Sequence, residues 1–156
     1  MTPKFGTSGL RGLVTDLTPE LVADHVRAFL AACPTGDGVF VGRDLRASSP
    51  RIAETVMAAV RATGHGTTDC GAVPTPALAR AAMAAGQAAI MVTGSHIPAD
   101  RNGLKFYRPD GEITKADEAA IIRMLGRSAA DTPASGPVPD TRVLDVAETY
   151  CTRYVA

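Results

Sequence analysis

The stretch AAIMVTGSHIPADRNGLKFY, residues 88–107, decides the fold. Ala88 to Val92 is an unbroken apolar run of strand length, the pattern of a strand covered on both faces in a parallel sheet. Thr93-Gly94-Ser95-His96 follows it directly with turn-forming residues. A serine on a turn at the end of a buried strand is where an α/β protein mounts a nucleophile or a phosphate carrier. Leu104 to Tyr107 is a further short strand. Its connection from the first is too short for a helical crossover, so the two are expected to pair antiparallel.

Working outward, the same alternation of strand and helix recurs. Thr18-Pro19-Glu20 starts a helix with a capping hydroxyl, a proline suited to the first turn and an acidic residue at the positive end of the dipole. Leu21, Val22, His25, Val26, Phe29 and Leu30 follow at helical spacing to about Cys33. Val39-Phe40-Val41 reads as a buried strand running into Gly42-Arg43-Asp44. Ser49-Pro50 opens a second helix that Gly64-His65-Gly66 ends. A weaker strand from Thr67 to Ala72 leads to Pro74-Thr75-Pro76 and an alanine-rich helix over 76–85. Lys115 to Leu125 is another helix.

The fold class expected is α/β, a three-layer α/β/α sandwich with a mixed, mostly parallel sheet carrying an antiparallel edge strand. Residues 127–140, rich in Ser, Ala, Pro and Asp, read as an exposed linker. From about Arg142 the chain reads as helical. Residues 1–140 are thus expected to form one domain, and 141–156 the start of a helix leading to a second.

This topology predicts a site. Ligands of open parallel sheets bind beyond the carboxyl ends of the strands. Gly42-Arg43-Asp44, Pro74-Thr75-Pro76 and Thr93-Gly94-Ser95-His96 follow the three strands and should share that rim, bringing Arg43 near Ser95.

Composition narrows the function. At 156 residues the chain makes one ordinary domain, and 46% of it is apolar, which is a globular composition. Lys plus Arg number 16 and so do Asp plus Glu. No global field therefore favours nucleic acid or an anionic membrane. Trp is absent and aromatics are few, which argues against a base-stacking surface. Cys33, Cys70 and Cys151 are odd in number and lack metal-ligand spacing, so they read as reduced thiols of a cytoplasmic protein. The first residues lack the apolar core of a signal peptide, and no stretch has the roughly 20 apolar residues of a membrane span.

Ser95, with His96 beside it and Lys105 on the next strand, is the candidate reactive group. A Gly-x-Ser-x-Gly elbow is missing, because Ile97 stands where the second glycine would be. Nor is there an obvious acidic partner for a histidine-based triad, so acyl transfer fits poorly. Phe5-Gly6-Thr7-Ser8-Gly9-Leu10-Arg11-Gly12 repeats glycine every third residue with two hydroxyls and an arginine, a composition able to bring backbone N–H groups to an anion. It is neither a Walker A loop nor a dinucleotide fingerprint. A leader segment that merely packs through Phe5, Leu10 and Leu13 is the alternative. No His pair or carboxylate group stands at metal-ligand spacing.

Taken in order, Phe-Gly-Thr-Ser-Gly-Leu-Arg-Gly at 5–12, Gly-Arg-Asp at 42–44 and Thr-Gly-Ser-His-Ile-Pro with Asn-Gly-Leu-Lys at 93–105 resemble the N-terminal domain of the α-D-phosphohexomutase superfamily. The phosphomannomutase/phosphoglucomutase branch is the most similar, since phosphoglucosamine mutases usually carry Asp at the position of Ser8. The resemblance implies that Ser95 is a phosphoserine exchanging its phosphoryl group with a hexose phosphate, mannose or glucose, through a bisphosphorylated sugar. It implies Mg²⁺ held by the Ser95 phosphoryl oxygen, with the other ligands in a second domain. Lys105 and Arg11 would serve acid/base work or charge stabilisation, and His96 would orient the sugar hydroxyl or the phosphoryl group. Ser8, Arg43, Asp44, Asn102 and Gly103 would bind substrate or support the loop.

Two departures stand out. The usual Ser-His-Asn-Pro is Ser-His-Ile-Pro here, so Ile97 offers no polar contact. The family's later domains, with their metal loop, sugar-selecting residues and phosphate clamp, have no counterpart in these residues, and the chain alone is expected to be inactive. Partners expected are a hexose phosphate and the remaining mutase domains, with no nucleic acid and no membrane. A non-catalytic anion-binding or interaction module, and a serine hydrolase, are the alternatives.

Overall fold

The computed structural model describes residues 4–6, 9–94, 100–125 and 141–144. The element order is β1 (Lys4–Gly6), β2 (Gly9–Leu13), α1 (Pro19–Ala32), β3 (Gly38–Arg43), α2 (Ser49–Ala62), β4 (Gly66–Ala72), α3 (Thr75–Ala84), β5 (Ala88–Val92), β6 (Arg101–Arg108), β7 (Gly111–Glu112), α4 (Lys115–Met124) and β8 (Thr141–Val143). The strands form one sheet in the order β1-β2-β6-β5-β3-β4-β8, with β7 paired to β6.

Chain order dictates the layers. The step from β3 to β4 moves outward, and the step from β4 to β5 moves back across β3 to its other side. Crossovers of constant right hand then place the two connecting helices on opposite faces. Accordingly Ile52, Val56 and Val60 of α2 join α1 over Val39, Val41, Ile90 and Val92. Leu78 and Ala82 of α3 pack against Phe40, Ala89, Met91 and Tyr107 on the reverse face. β5 is buried at every residue, as expected of a strand with helices on both sides. The larger core layer contains Phe29 of α1 against Phe106 of β6, ring centroids 4.8 Å apart. Each is fully buried, contributing about 1.5–3 kcal/mol.

Local chemistry sets the helix starts. The Leu21 N–H donates to the Thr18 hydroxyl at 3.2 Å, the cap expected for α1. α4 begins with a capping box of Thr114 and Asp117, and Asp117 also receives both Arg108 contacts, at 3.3 and 3.2 Å. That ties the helix start to the end of β6.

The α/β class holds, and β3, β4, β5 and β8 form its parallel portion. β6 does pair antiparallel to β5. It is longer than Leu104 to Tyr107 and is no edge strand, because the Gly-rich opening forms the hairpin β1–β2, whose β2 pairs with β6 from Gly9↔Lys105 to Leu13↔Arg101. The expected helix start at 141 is corrected: Thr141–Val143 are a strand. The β-branched Thr141 and Val143 suit a strand, and three bonds hold it there. Thr67 and Thr141 hydroxyls lie 2.7 Å apart, Arg61 donates to Thr141, and the Leu144 N–H donates to the Asp69 carbonyl at 2.9 Å. The expected linker, 127–140, and residues 145–156 lie outside the described residues.

Candidate functional site

The carboxyl rim of β3 and β5 is the candidate site. At its centre the Asp44 backbone N–H donates to the Val92 carbonyl at 2.9 Å, joining the ends of the two strands. One Asp44 carboxylate oxygen accepts from the Ser49 hydroxyl at 2.5 Å and the Arg46 N–H at 3.0 Å. The other accepts from the Gly94 N–H at 2.9 Å and lies 3.3 Å from the Arg46 Nε. Burial pushes this carboxyl's pKa up, but hydrogen bonds from Ser49, the Gly94 N–H, the Arg46 N–H and Thr93 outweigh it and hold it below the usual carboxylate range.

Gly94 is one end of the segment 95–99, and Arg101 and Asn102 stand at the other. The Asn102 side chain is fully buried. Its amide donates to the Ser48 hydroxyl at 2.8 Å and the Ser49 hydroxyl at 2.9 Å, while its carbonyl oxygen accepts from the Gly103 N–H at 2.8 Å. Ser49 therefore joins Asp44 to Asn102, and both ends of the segment hang from the first turn of α2.

The other face of the sheet carries the cations. Leu10 and Leu104 are buried in the α1/α2 core and face each other in register. Strand alternation then puts Arg11, Gly103 and Lys105 on the opposite face. Arg11 pairs with Gly103, and Lys105 with Gly9, which makes the two cationic residues diagonal neighbours, a Cα spacing of about 7–8 Å. The glycines allow the close approach: a Cβ on Gly9 would overlap the Leu104 carbonyl oxygen, and one on Gly103 the Leu10 carbonyl oxygen. Arg11 is exposed and Lys105 half-buried, so both can meet an anion.

Among the sequence-predicted residues, the structure joins Asp44 to Asn102 through Ser49 and places Gly103 with Arg11 and Lys105 on the other face of the sheet. Arg43 sits at the rim beside Val92 in register, but its guanidinium is 3.7 Å from Asp69 of β4. Ser95, His96 and Ser8 lie outside the described residues. Arg46, Ser48 and Ser49 are supporting residues that the motifs did not reveal. Their only signal was position, directly after a strand and at a helix start. The described residues do not fit a metal by themselves: they hold no group of three His, Cys, Asp or Glu able to ligate one, and both Asp44 oxygens are taken by donors. Among them, too, no helix is long and apolar enough to cross a membrane.

A three-layer α/β/α domain whose supporting network holds the two described ends of one segment, at Gly94 and Asn102, is the class that fold and site define. Residues 2–131 match the family described as phosphoglucomutase/phosphomannomutase, alpha/beta/alpha domain I, and the chain belongs to this family. A phosphomannomutase of Sinorhizobium fredii is 51% identical over 141 residues, 86% of this chain and 30% of that protein. A phosphoglucosamine mutase of Bacillus mycoides is 35% identical over 136 residues, 83% of this chain and 30% of that protein. The crystal structure of a phosphoglucomutase/phosphomannomutase family protein from Burkholderia thailandensis superposes with a TM-score of 0.78 at 29% identity, over 94% of this chain and 34% of that one. The chain thus spans about a third of the length of the relatives it matches.

Proposed function

We propose that this is the serine-bearing domain of a phosphohexomutase that interconverts hexose 1-phosphate and hexose 6-phosphate, of mannose or glucose, within a cytoplasmic protein. The supporting observation is the Asp44 carboxylate holding the Gly94 N–H at 2.9 Å, one residue before Ser95. A phosphoryl group on Ser95 passes to the free hydroxyl of the hexose phosphate. The sugar oxygen–phosphorus bond forms, the Ser95 oxygen–phosphorus bond breaks, and the sugar hydroxyl's proton goes to a base. The resulting bisphosphate turns over in the site and returns its other phosphoryl group to Ser95.

Each phosphoryl group carries about −1.5 to −2 at neutral pH, and catalysis of such a transfer rests on positioning and charge stabilisation. Arg11 and Lys105 are the described cations suited to that work, with His96 orienting the reacting oxygens. Asp44, Asn102 and Gly103 support the loop, and Ser8 and Arg43 are kept as substrate-binding or supporting residues. Magnesium, held through a phosphoryl oxygen of Ser95, belongs to the same proposal as an additional counter-charge, its other ligands coming from a further mutase domain. The cytoplasmic placement rests on two free, buried thiols, Cys33 and Cys70.

The test is a hexose phosphate panel on a protein that joins this domain to the remaining mutase domains, with Ser95→Ala as control and mass spectrometry for one phosphate on Ser95. Interconversion abolished by the substitution is expected, and the 156-residue chain alone should show none. Activity that survives Ser95→Ala refutes the proposal.

A further inference from the structure

We propose that Arg46 is the positioning residue of the segment that carries Ser95, its guanidinium held by Asp44 and the Arg101 carbonyl in the space that a side chain on residue 94 would need. The guanidinium reaches both ends of the segment 95–99. Its Nε lies 3.3 Å from the Asp44 oxygen that holds the Gly94 N–H, and its Nη1 donates to the Arg101 carbonyl at 3.2 Å. It also lies against Gly94: a Cβ there would overlap the guanidinium carbon and Nε. The Arg46 N–H also binds the other Asp44 oxygen, at 3.0 Å.

One residue thus presses on the first end of the segment, orients the carboxylate that anchors it, and ties the second end by its carbonyl. A lysine offers a point charge and cannot span these partners in one plane. The side chain is only 18% exposed, so solvent competes little for its contacts. No sequence motif pairs residues 46 and 94.

The catalytic part of this inference rests on the function proposed above, and two readouts separate them. The first needs no activity. In the 156-residue chain, amide exchange by NMR should show the Gly94 N–H losing about tenfold or more of its protection in Arg46→Ala, as expected when a bond to a charged group is loosened. Amides of α1 and β4 should keep theirs. Gly94→Ala should give the same local loss. In the Arg46→Ala background, where the space is free, adding Gly94→Ala should cost little more. The second readout is kinetic, in the protein with all mutase domains. Arg46→Ala and Arg46→Lys should each lower kcat about 10- to 100-fold, the scale of an ångström's misplacement, with KM for the hexose phosphate within about twofold.

Unchanged Gly94 protection, additive effects of the two substitutions, or a kcat within twofold of the parent would each overturn the role of Arg46. If Arg46→Ala does not fold, Arg46→Lys and Gly94→Ala decide the matter by the same measurements. Activity retained in Ser95→Ala would instead remove the proposed function, and the exchange data would still judge the Arg46–Gly94 interlock.

Discussion

Asp44→Asn removes one negative charge and almost no volume, so its effect isolates what the carboxylate does. The amide keeps one acceptor oxygen. If that oxygen stays with Ser49 and the Arg46 N–H, the new NH₂ group faces the Gly94 N–H and the Arg46 Nε, two donors it cannot serve. The loss is then one hydrogen bond to a charged acceptor, about 1.5–3 kcal/mol. To this is added a partly exposed ion pair, about 0.2–1 kcal/mol. Allowing for incomplete additivity among neighbours, a destabilisation of about 3 kcal/mol is expected. At roughly 2–4 °C per kcal/mol for a domain of this size, Tm should fall by about 6–12 °C. The pH dependence carries a second signature. Asp44 is held below the usual carboxylate range when folded. Its ionised form therefore stabilises the fold above the ordinary value of about 3.9, and that contribution is lost as pH falls through the depressed folded value. The gap between parent and Asp44→Asn should be full near pH 7 and narrow on acidification below about pH 4. Calorimetric Tm measured across pH 3 to 8 tests both parts. A Tm within about 2 °C of the parent at pH 7, or a gap that widens in acid, refutes the account of Asp44 as anchor.

Gly103→Ala should cost about 1–3 kcal/mol as an overpacked substitution, because its Cβ would meet the Leu10 backbone carbonyl and the strands would have to part. Gly66→Ala, where nothing lies within 4 Å of a new Cβ, is the control and should change stability by less than about 0.5 kcal/mol. Equal Tm values for the two refute the close-approach argument. Burial pushes the Cys33 thiol up to about 11, with nearby Asp117 adding to it, and the Cys70 thiol to about 12, helped by Asp69. Both are therefore neutral and shielded at pH 8, and mapped alkylation of either should proceed only as fast as the domain unfolds. Because their folded values are raised, the stability they contribute is present below about pH 9 and fades as pH climbs through the folded values. Rapid labelling of native Cys33 or Cys70 at pH 8 counts against this.

The parallel half of the sheet was legible because burial on both faces leaves an apolar run in the sequence: β5 coincides with Ala88–Val92, and β3 extends Val39–Val41 by a few residues. α1 was legible from its cap. The opening segment was not, since glycines at 6, 9 and 12 read locally as a loop. Their reason is non-local, for Gly9 sits against the Leu104 carbonyl, nearly a hundred residues along. β8 escaped for the same cause, as three residues with a partner strand seventy residues earlier carry almost no local signal. At the site, Asp44 and Asn102 were legible as loop supports, but Arg46, Ser48 and Ser49 were not, because they complete a network whose members belong to two distant segments. Such networks are visible only after the strands have been paired.

What the sequence does contain is the constraint that sorts the rim's residues by job. The connection from β5 to β6 is too short to cross over, so β6 must turn back and begin at the rim. Its alternation is then set by Leu104 and Phe106, which must enter the α1/α2 core. That leaves Asn102 on the helix side, where it meets Ser48 and Ser49, and forces Gly103 and Lys105 onto the other face. The same parity in β2, fixed by buried Leu10, sends Arg11 to the face of Lys105. A slip of one residue in either strand would bury a cation and expose a leucine. The hydrophobic core therefore sets which face of the sheet carries Arg11 and Lys105, and Asn102 with its two serine partners lies on the other.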